Sequence, residues 1–416
     1  MIHVGEACKD KEACLRMDGL IKCSIVPPER LYHPVLPFRC NKKLLFCLCR
    51  SCVLEHNISE QCTHTADVER TLTGTWVIDE VRLAVEKGYR VHEIYEVYEY
   101  QVTQYNPETG EGGLFVEYIN TFLKLKAEAS GYPDWVKNVE DEERYIKSFW
   151  ESEGIRLDKE SIKYNAAKRG LAKLCLNSMW GKLTERNNRT QTKFISDPKE
   201  LYRFLATPGI EVINLMFAND EVVWVSWKFT AEERVPNLRH TNEVIGAYVT
   251  SGARIHLYRY LDRLKENAIY CDTDSVIYIQ PRNEPELIET GDSLGDMTSE
   301  LKPQQFITEF VSAGPKNYAY KIMDNKNVSK TVCKVRGITL NYNASQLVNF
   351  EVIKDMILNR EPDHIVNVHT ENKIKRKRKI GGAVSILTEP EDKLYRVSFF
   401  KRRRLNDNNS VPFGYK

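Results

Sequence analysis

The spacing of hydrophobic and polar positions changes several times along the chain, and each change predicts an element. In residues 90–103 (RVHEIYEVYEYQVT) apolar and polar side chains alternate and Tyr and Val are frequent, the pattern of a half-buried strand. Asn106-Pro107 and the glycines 110, 112 and 113 predict a turn. Residues 115–129 return to helical spacing and stop at Ser130-Gly131-Tyr132-Pro133. A charged helix is expected over 138–152. Another is expected from near Asp158 to about Trp180, stopped by Gly181. Residues 190–230 read as short strands and 241–265 as one long helix. Residues 268–279 read as two short strands around a tight acidic turn, AIYC-DTD-SVIYI. Residues 1–70 are rich in Cys, Pro and His and weakly periodic, so mostly loops and short strands. The tail after about Phe350 is mixed, and no internal repeat is present.

Composition narrows the class. A chain of 416 residues, 42% hydrophobic and 28% charged, supports two or three folded domains and excludes a fibrous or wholly disordered molecule. No apolar run approaches the ~18 residues of a membrane span, and the start, MIHVGEACKDK, has no apolar signal core. These features predict an intracellular protein of the nucleus or cytoplasm, without a membrane partner. The net charge of +2 is unevenly spread: residues 363–416 hold thirteen Lys and Arg against six Asp and Glu, so that +7 at the end balances −5 before it. A basic end on a mildly acidic body predicts a polyanionic partner.

The acidic turn carries the sharpest chemistry. Asp is disfavoured in strand interiors, so Asp272 and Asp274 between two apolar runs belong at a hairpin tip. Residues i and i+2 can project to one side there, and two adjacent carboxylates repel unless a cation relieves them. Hard oxygen donors suit Mg²⁺ (or Mn²⁺), the ion that phosphoryl transfer uses. A bare D-x-D is most often an ordinary turn. The longer string Tyr270-Cys271-Asp272-Thr273-Asp274-Ser275 is more specific and resembles motif C of family B DNA polymerases.

A second constellation lies upstream. Arg169, Lys173 and Asn177 fall at i, i+4 and i+8, one stripe of a helix, with Gly181 continuing it. A solvated charged face would look the same. Cations in a row can also line a triphosphate, and a small residue lets a base pair approach. The string Lys173-Leu-Cys-Leu-Asn177-Ser178-Met179-Trp180-Gly181 resembles family B motif B. By that likeness Lys173 contacts the nucleotide phosphates and Asn177 lines the nucleotide pocket, with Arg169 and Gly181 beside them. Trp180 stands where most of the family has Tyr. Lys316-Asn-Tyr318 resembles the family K-x-Y motif, which steadies the primer terminus; alone it would read as a strand with a snorkelling lysine.

The strings KLCLNSMWGKL, YCDTDSVIY, LGDMTSEL, GPKNYAYK, VCKVRGITLN and the terminal PFGYK together resemble the polymerase of Polinton/Maverick DNA transposons and related viruses, in the protein-primed branch of family B. The resemblance covers essentially the whole chain and is most specific from Lys173 onward. It implies an α+β fold: a right-hand palm with a mixed or antiparallel sheet, helical fingers and a small thumb. The implied divisions are a partial palm with a Cys-rich segment and an insertion over 1–157, a fingers helix over 158–182 and a β-rich insertion over 183–235. Palm with motif C and K-x-Y follows over 236–345, and a basic thumb over 346–416. The implied reaction is attack of a primer 3′-hydroxyl on a dNTP, with two Mg²⁺, on a primed DNA template and with a terminal protein as an alternative primer. Asp274 is then the direct metal ligand and Asp272 its support.

One departure stands out. The family's motif A, D-x2-S-L-Y-P, precedes motif B and does not occur in residues 1–416; the family's exonuclease, which precedes motif A, is read as absent too. The resemblance therefore covers the C-terminal portion of such a polymerase, and this chain alone is expected to be inactive or nearly so unless another polypeptide, or a carboxylate such as Asp296 or Glu300, replaces the missing ligand. A reading from another class follows: a nucleic-acid-binding remnant without catalysis. Reverse transcriptases fit less well, because their aspartates are adjacent.

Eight of eleven cysteines precede residue 63. Cys49-x2-Cys52 and Cys62-x-His64 offer four soft ligands, a candidate structural Zn²⁺ site, with Cys47 and His56 as alternates and reduced thiols in a loop as the plain reading. The basic runs at residues 373–379 and 401–404 fit a solvated surface, a nuclear-localisation signal or phosphate contacts from a thumb. The resemblance favours the last and marks Lys375, Arg376, Lys377, Arg378, Arg402 and Arg403.

Overall fold

The computed structural model describes residues 1–416 except 104, 107, 232–234, 237, 292–293, 325–328, 360–364, 379–383 and 407–408, and except the side chains of Ser329, Lys377, Arg378 and Val384. The side chains of Lys377 and Arg378, and Pro107 of the expected turn, thus fall outside what is described. The fold is α+β, and every strand pairing given for the described residues is antiparallel. No helix among the described residues is long and apolar enough to cross a membrane.

The chain divides into two compact units. The first holds Met1–Asn177, Ala247–Val366 and Tyr395–Lys416; the second holds Ser178–Gly246 and Asn367–Leu394. Residues 346–416, expected as one basic domain, are shared between them.

The first unit opens on a four-stranded sheet ordered Ile2–Val4, Arg90–Glu99, Gly19–Val26, Leu72–Val77. The central strand Gly19–Val26 is buried along most of its length, because the helix Ile78–Glu86 covers one side through Ile78, Val81 and Ala84. Spacing of three places those residues on one helix face. Gly19 permits the close approach of its neighbour: with φ +153°, a Cβ there would lie 1.9 Å from the Tyr98 carbonyl oxygen. Thiols fill the core like small apolar groups. Burial pushes the Cys23 thiol up to about 12 and Cys47 higher, so both stay protonated.

A helical insertion follows, with Val116–Glu128 and Val139–Glu153 close to the expected bounds. The second of these is capped by the Asn138 side chain and by acidic residues in its first turn, and it ends at Gly154 in the left-handed region. The helix expected from Asp158 starts later. Asp158 caps a short 3-10 turn, Lys159–Ser161, and the α-helix itself is Ala166–Leu183. Gly181 lies inside it and does not stop it. The Thr184 hydroxyl donates to the carbonyls of Trp180 and Gly181 and closes the last turn instead.

The rest of the first unit holds the hairpin Ala268–Asp272/Ser275–Tyr278 and the three-stranded sheet Phe306–Gly314, Asn317–Met323, Ser329–Lys334. The helix Phe350–Leu358 packs on that sheet through Phe350, Ile353, Met356 and Ile357.

The second unit has a three-stranded sheet ordered Gln191–Ile195, Val223–Phe229, Ile210–Phe217 and a long ribbon, Val366–Arg378 with Val384–Tyr395. Residues 190–230, expected as strands only, also contain the helix Pro198–Leu205, begun by an Asp197 cap with Pro at its first turn.

Candidate functional site

Two tight turns meet at the acidic tip. In the hairpin, Asp272 pairs with Ser275, leaving Thr273 and Asp274 to reverse the chain. Thr273 has φ +57°, and the Asp274 N–H donates to the Asp272 carbonyl at 2.6 Å, a γ-turn. A β-branched residue in that region stores strain, which places the tip under local constraint. The Thr273 hydroxyl donates to Asp272 Oδ1 at 3.0 Å and the Ser275 hydroxyl to the Asp272 carbonyl at 3.2 Å. Asp274 is exposed.

The second turn is Gly314-Pro315-Lys316-Asn317, closed by the Gly314–Asn317 pairing. Pro occupies the second position and Lys316, at φ +57°, the third, as in a type II turn. Lys316 Nζ donates to Asp272 Oδ2 at 2.7 Å, and the Lys316 N–H donates to the Tyr270 hydroxyl at 3.0 Å. The hydrogen bond to Asp272 holds the Lys316 ammonium above its usual range. Tyr270 lies 4.7 Å from Tyr318, ring centre to ring centre, and 5.9 Å from Phe310. These aromatics form a floor beneath the two turns. Burial raises the Tyr318 hydroxyl, and the charges of Glu300 and Asp272 add to the effect.

The helix Ala166–Leu183 carries the other expected residues. Arg169, Lys173, Asn177, Trp180 and Gly181 are all exposed, Trp180 at 36%. Arg169, Lys173 and Asn177 belong to the first unit, Trp180 and Gly181 to the second. Sequence reasoning missed one neighbour, Lys126. Burial lowers the pKa of its ammonium, and the charges of Arg169 and Lys173 lower it further. Three cations thus gather where the helix Val116–Glu128 meets the stripe. Nothing in the sequence marks Lys126, because the approach is made across more than forty residues. Arg169 also donates to the Ser130 hydroxyl at 3.1 Å, and the Tyr118 hydroxyl donates to the Cys175 carbonyl at 3.0 Å.

The two basic runs differ. Lys375 lies on the ribbon with Glu391 at 3.8 Å, and Arg376 is exposed. Arg402 instead turns inward. It donates to the Tyr32 carbonyl at 3.2 Å and the Ser410 carbonyl at 3.0 Å and stacks over the Tyr32 ring. Arg403 donates to the Tyr415 carbonyl at 3.4 Å. These contacts fasten the end of the chain.

The thiol cluster converges as the spacing anticipates. The donor atoms of Cys49, Cys52, Cys62 and His64 all lie within 4.8 Å of one another, while Cys47 and His56 stay outside the group. Such a set can hold a soft divalent metal. The hydrogen bond from the Cys52 thiol holds the Cys49 thiol below its ordinary range.

No family model and no curated protein matches the sequence. The fold is similar to that of Phi29 DNA polymerase complexed with primer-template DNA, in a post-translocation binary complex (TM-score 0.51, 14% identity). It is equally similar to the ternary complex of the same polymerase with incoming nucleotide substrates (TM-score 0.52, 13% identity). The match covers 96% of this chain but only 53% and 54% of those chains, so the chain spans about half the length of its structural neighbours.

Proposed function

We propose that this chain is the C-terminal portion of a DNA-directed DNA polymerase of the protein-primed family B type, most like the Polinton/Maverick enzyme. The single observation that carries the proposal is the ion pair of Asp272 and Lys316. Two motifs that the sequence likeness assigned separately, Y-C-D-T-D-S and K-N-Y, meet at 2.7 Å in a fold similar to a polymerase held on primer-template DNA.

In this reading the first unit contains the palm. Asp274, exposed at the tip, and Asp272 offer the hard oxygen donors that Mg²⁺ or Mn²⁺ takes, and they supply part of its shell. A bound divalent ion would lower the charge barrier to attack of a primer 3′-hydroxyl on the α-phosphate of a dNTP. The chain's own residues do the positioning. Lys316 orients the Asp272 carboxylate and brings a cation to the primer end. The Tyr270, Phe310 and Tyr318 rings hold that turn in place. Lys173, Arg169 and Lys126 gather the triphosphate charge, and Asn177 leaves room for the nascent pair. Lys375 and Arg376 meet the duplex backbone.

The second reading is a nucleic-acid-binding remnant without catalysis, since the cations of the chain serve binding whether or not the acidic tip is catalytic. The test is primer extension with Mg²⁺ beside a binding assay on the same primed duplex. The proposal expects salt-dependent binding of primed DNA and extension that is weak or absent. Any extension must disappear in Asp274→Asn. Binding no stronger to primed DNA than to a single strand would overturn the polymerase assignment. Primed-DNA binding that Asp274→Asn leaves intact, with no extension in the presence of a motif A polypeptide supplied in trans, would leave the remnant reading.

A further inference from the structure

We propose that Cys49, Cys52, Cys62 and His64 bind one structural zinc ion, and that this centre fastens the C-terminal segment of the chain, residues 412–416, to the N-terminal core.

The geometry is that of a closed tetrahedron. His64 Nδ1 faces three sulfurs, at 3.6 Å from Cys49, 3.4 Å from Cys52 and 3.8 Å from Cys62. With Zn–S near 2.3 Å and Zn–N near 2.0–2.1 Å, a tetrahedral ion requires N···S edges of about 3.6 Å. Hydrogen bonding does not explain the arrangement as well, because one imidazole nitrogen accepts from one thiol and not from three. All three cysteines are buried and four ligands leave no open position, which makes the site structural and not catalytic.

The surroundings match an anionic metal centre. The Glu55 carboxylate lies 3.3 Å from His64 Nε2, so the ring proton sits on that side and Nδ1 is free to ligate. Arg70 is 2% exposed, and among the described residues no carboxylate lies within ion-pair distance of it. A buried cation without a counter-charge is costly. Three thiolates around Zn²⁺ carry a net −1, and Arg70 donates to Cys62 Sγ at 3.5 Å. The guanidinium thus balances the centre.

The loop also lacks other support. Most residues between Cys52 and Cys62 are exposed, so little apolar burial offsets the entropy of ordering them. A metal crosslink supplies what the core does not.

The C-terminal segment docks on this loop. The Leu48 N–H donates to the Phe413 carbonyl at 2.7 Å, and Arg70 donates to the Gly414 carbonyl at 3.4 Å while it holds Cys62. Gly414, at φ +86°, lies so close that a Cβ there would be 2.3 Å from Cys49 Cβ and 2.5 Å from its nitrogen. Phe413 is buried in the same cluster as the four cysteines 47, 49, 52 and 62. Farther back, the Arg404 N–H donates to the Ile58 carbonyl at 3.0 Å. The position of residues 412–416 therefore depends on where Cys49 is held, and the metal sets that position.

The test uses the full chain purified without added metal. Elemental analysis should find about one zinc per chain, and exchange into Co²⁺ should give the visible bands of a tetrahedral thiolate site. A folded chain with neither zinc nor a cobalt spectrum overturns the site. Hydrogen exchange then addresses the anchor. Removing the metal with a chelator should raise exchange at residues 48–64 and 412–416 together and leave the sheet of Phe306–Gly314 and Asn317–Met323 unchanged. Loss of protection at 48–64 with 412–416 still protected overturns the anchoring role. Because these readouts use the wild-type chain, they do not rely on Cys62→Ser or His64→Ala folding. They are also independent of primer extension, so failure here leaves the polymerase reading standing.

Discussion

Lys316 and Asp272 stand 44 positions apart in the chain and 2.7 Å apart in the fold, each on a tight turn held by a residue at positive φ. The ammonium is exposed and therefore free to exchange one anion for another. In the polymerase reading proposed above, a primer phosphate would compete with Asp272 for the same cation. Lys316→Ala should weaken binding of primed DNA by about tenfold and reduce the slope of log affinity against log salt by about 1. Fluorescence anisotropy at several salt concentrations measures both. An unchanged slope would mean that Lys316 serves only to hold the hairpin.

The hairpin and its acidic tip were legible because Asp272 and Asp274 interrupt two apolar runs, which only a turn accommodates. The convergence of Cys49, Cys52, Cys62 and His64 was legible from their spacing alone. Other features depended on tertiary contacts. Gly181 reads as a helix stop, yet the helix runs on to Leu183, where Thr184 supplies the closing hydrogen bonds. Arg402 sits in a basic run and looks like a phosphate contact, but Tyr32 and Ser410 engage its guanidinium from distant segments. Lys126 carries no motif and gains meaning only from the Arg169 and Lys173 charges beside it. The helix Pro198–Leu205 had a readable start, Asp197-Pro198, outweighed by the apolar strands around it.

Glu80 and Arg254 make a two-pronged ion pair, at 2.6 and 3.0 Å, with Glu80 only 2% exposed. The pair ties the helix Ile78–Glu86 to the long helix Glu243–Leu264. Arg254→Ala would leave the buried carboxylate without its partner. Such a loss costs ~3–5 kcal/mol when both ions are buried, and the solvent that reaches Arg254 brings it to ~2–3 kcal/mol. The double variant Glu80→Met/Arg254→Leu should be less destabilised than Arg254→Ala alone. Urea midpoints compare them, and a double variant weaker than the single would remove the stranded-charge explanation.

Acid should loosen the first unit through His33. Its Nε2–H donates to the Lys265 carbonyl at 2.7 Å, and burial lowers the imidazole to about 4, with Arg402 and Lys265 opposing a further charge and Asp262 favouring it. In the unfolded chain the same ring titrates near ~6.5. The unfolded state therefore binds the proton first as pH falls. The stabilisation is complete above ~6.5 and is lost as pH drops through about 4. Urea midpoints measured from pH 7.5 to 4.5 should fall for the wild type and fall less for His33→Gln. Equal slopes, or an NMR titration of His33 near 6.5, would show that the ring is not the acid-sensitive group.

Lys126 supplies the last prediction because its two expected effects have opposite signs. Burial and the Arg169 and Lys173 charges hold its ammonium below the usual lysine range, so in the free protein the protonated side chain is a liability. Lys126→Ala should therefore leave the unliganded chain as stable as the wild type or slightly more so. A polyphosphate reverses the balance, since it pairs with the cations that repel one another. At a ligand concentration 100 times the dissociation constant, binding stabilises the folded state by ~2.7 kcal/mol, a shift of several degrees in melting temperature. Inorganic tripolyphosphate and a dNTP should both produce that shift in the wild type. Lys126→Ala and Lys173→Ala should each shrink it, and sulfate should not reproduce it. If the shift survives both substitutions, the three cations are a solvated cluster and the triphosphate binds elsewhere.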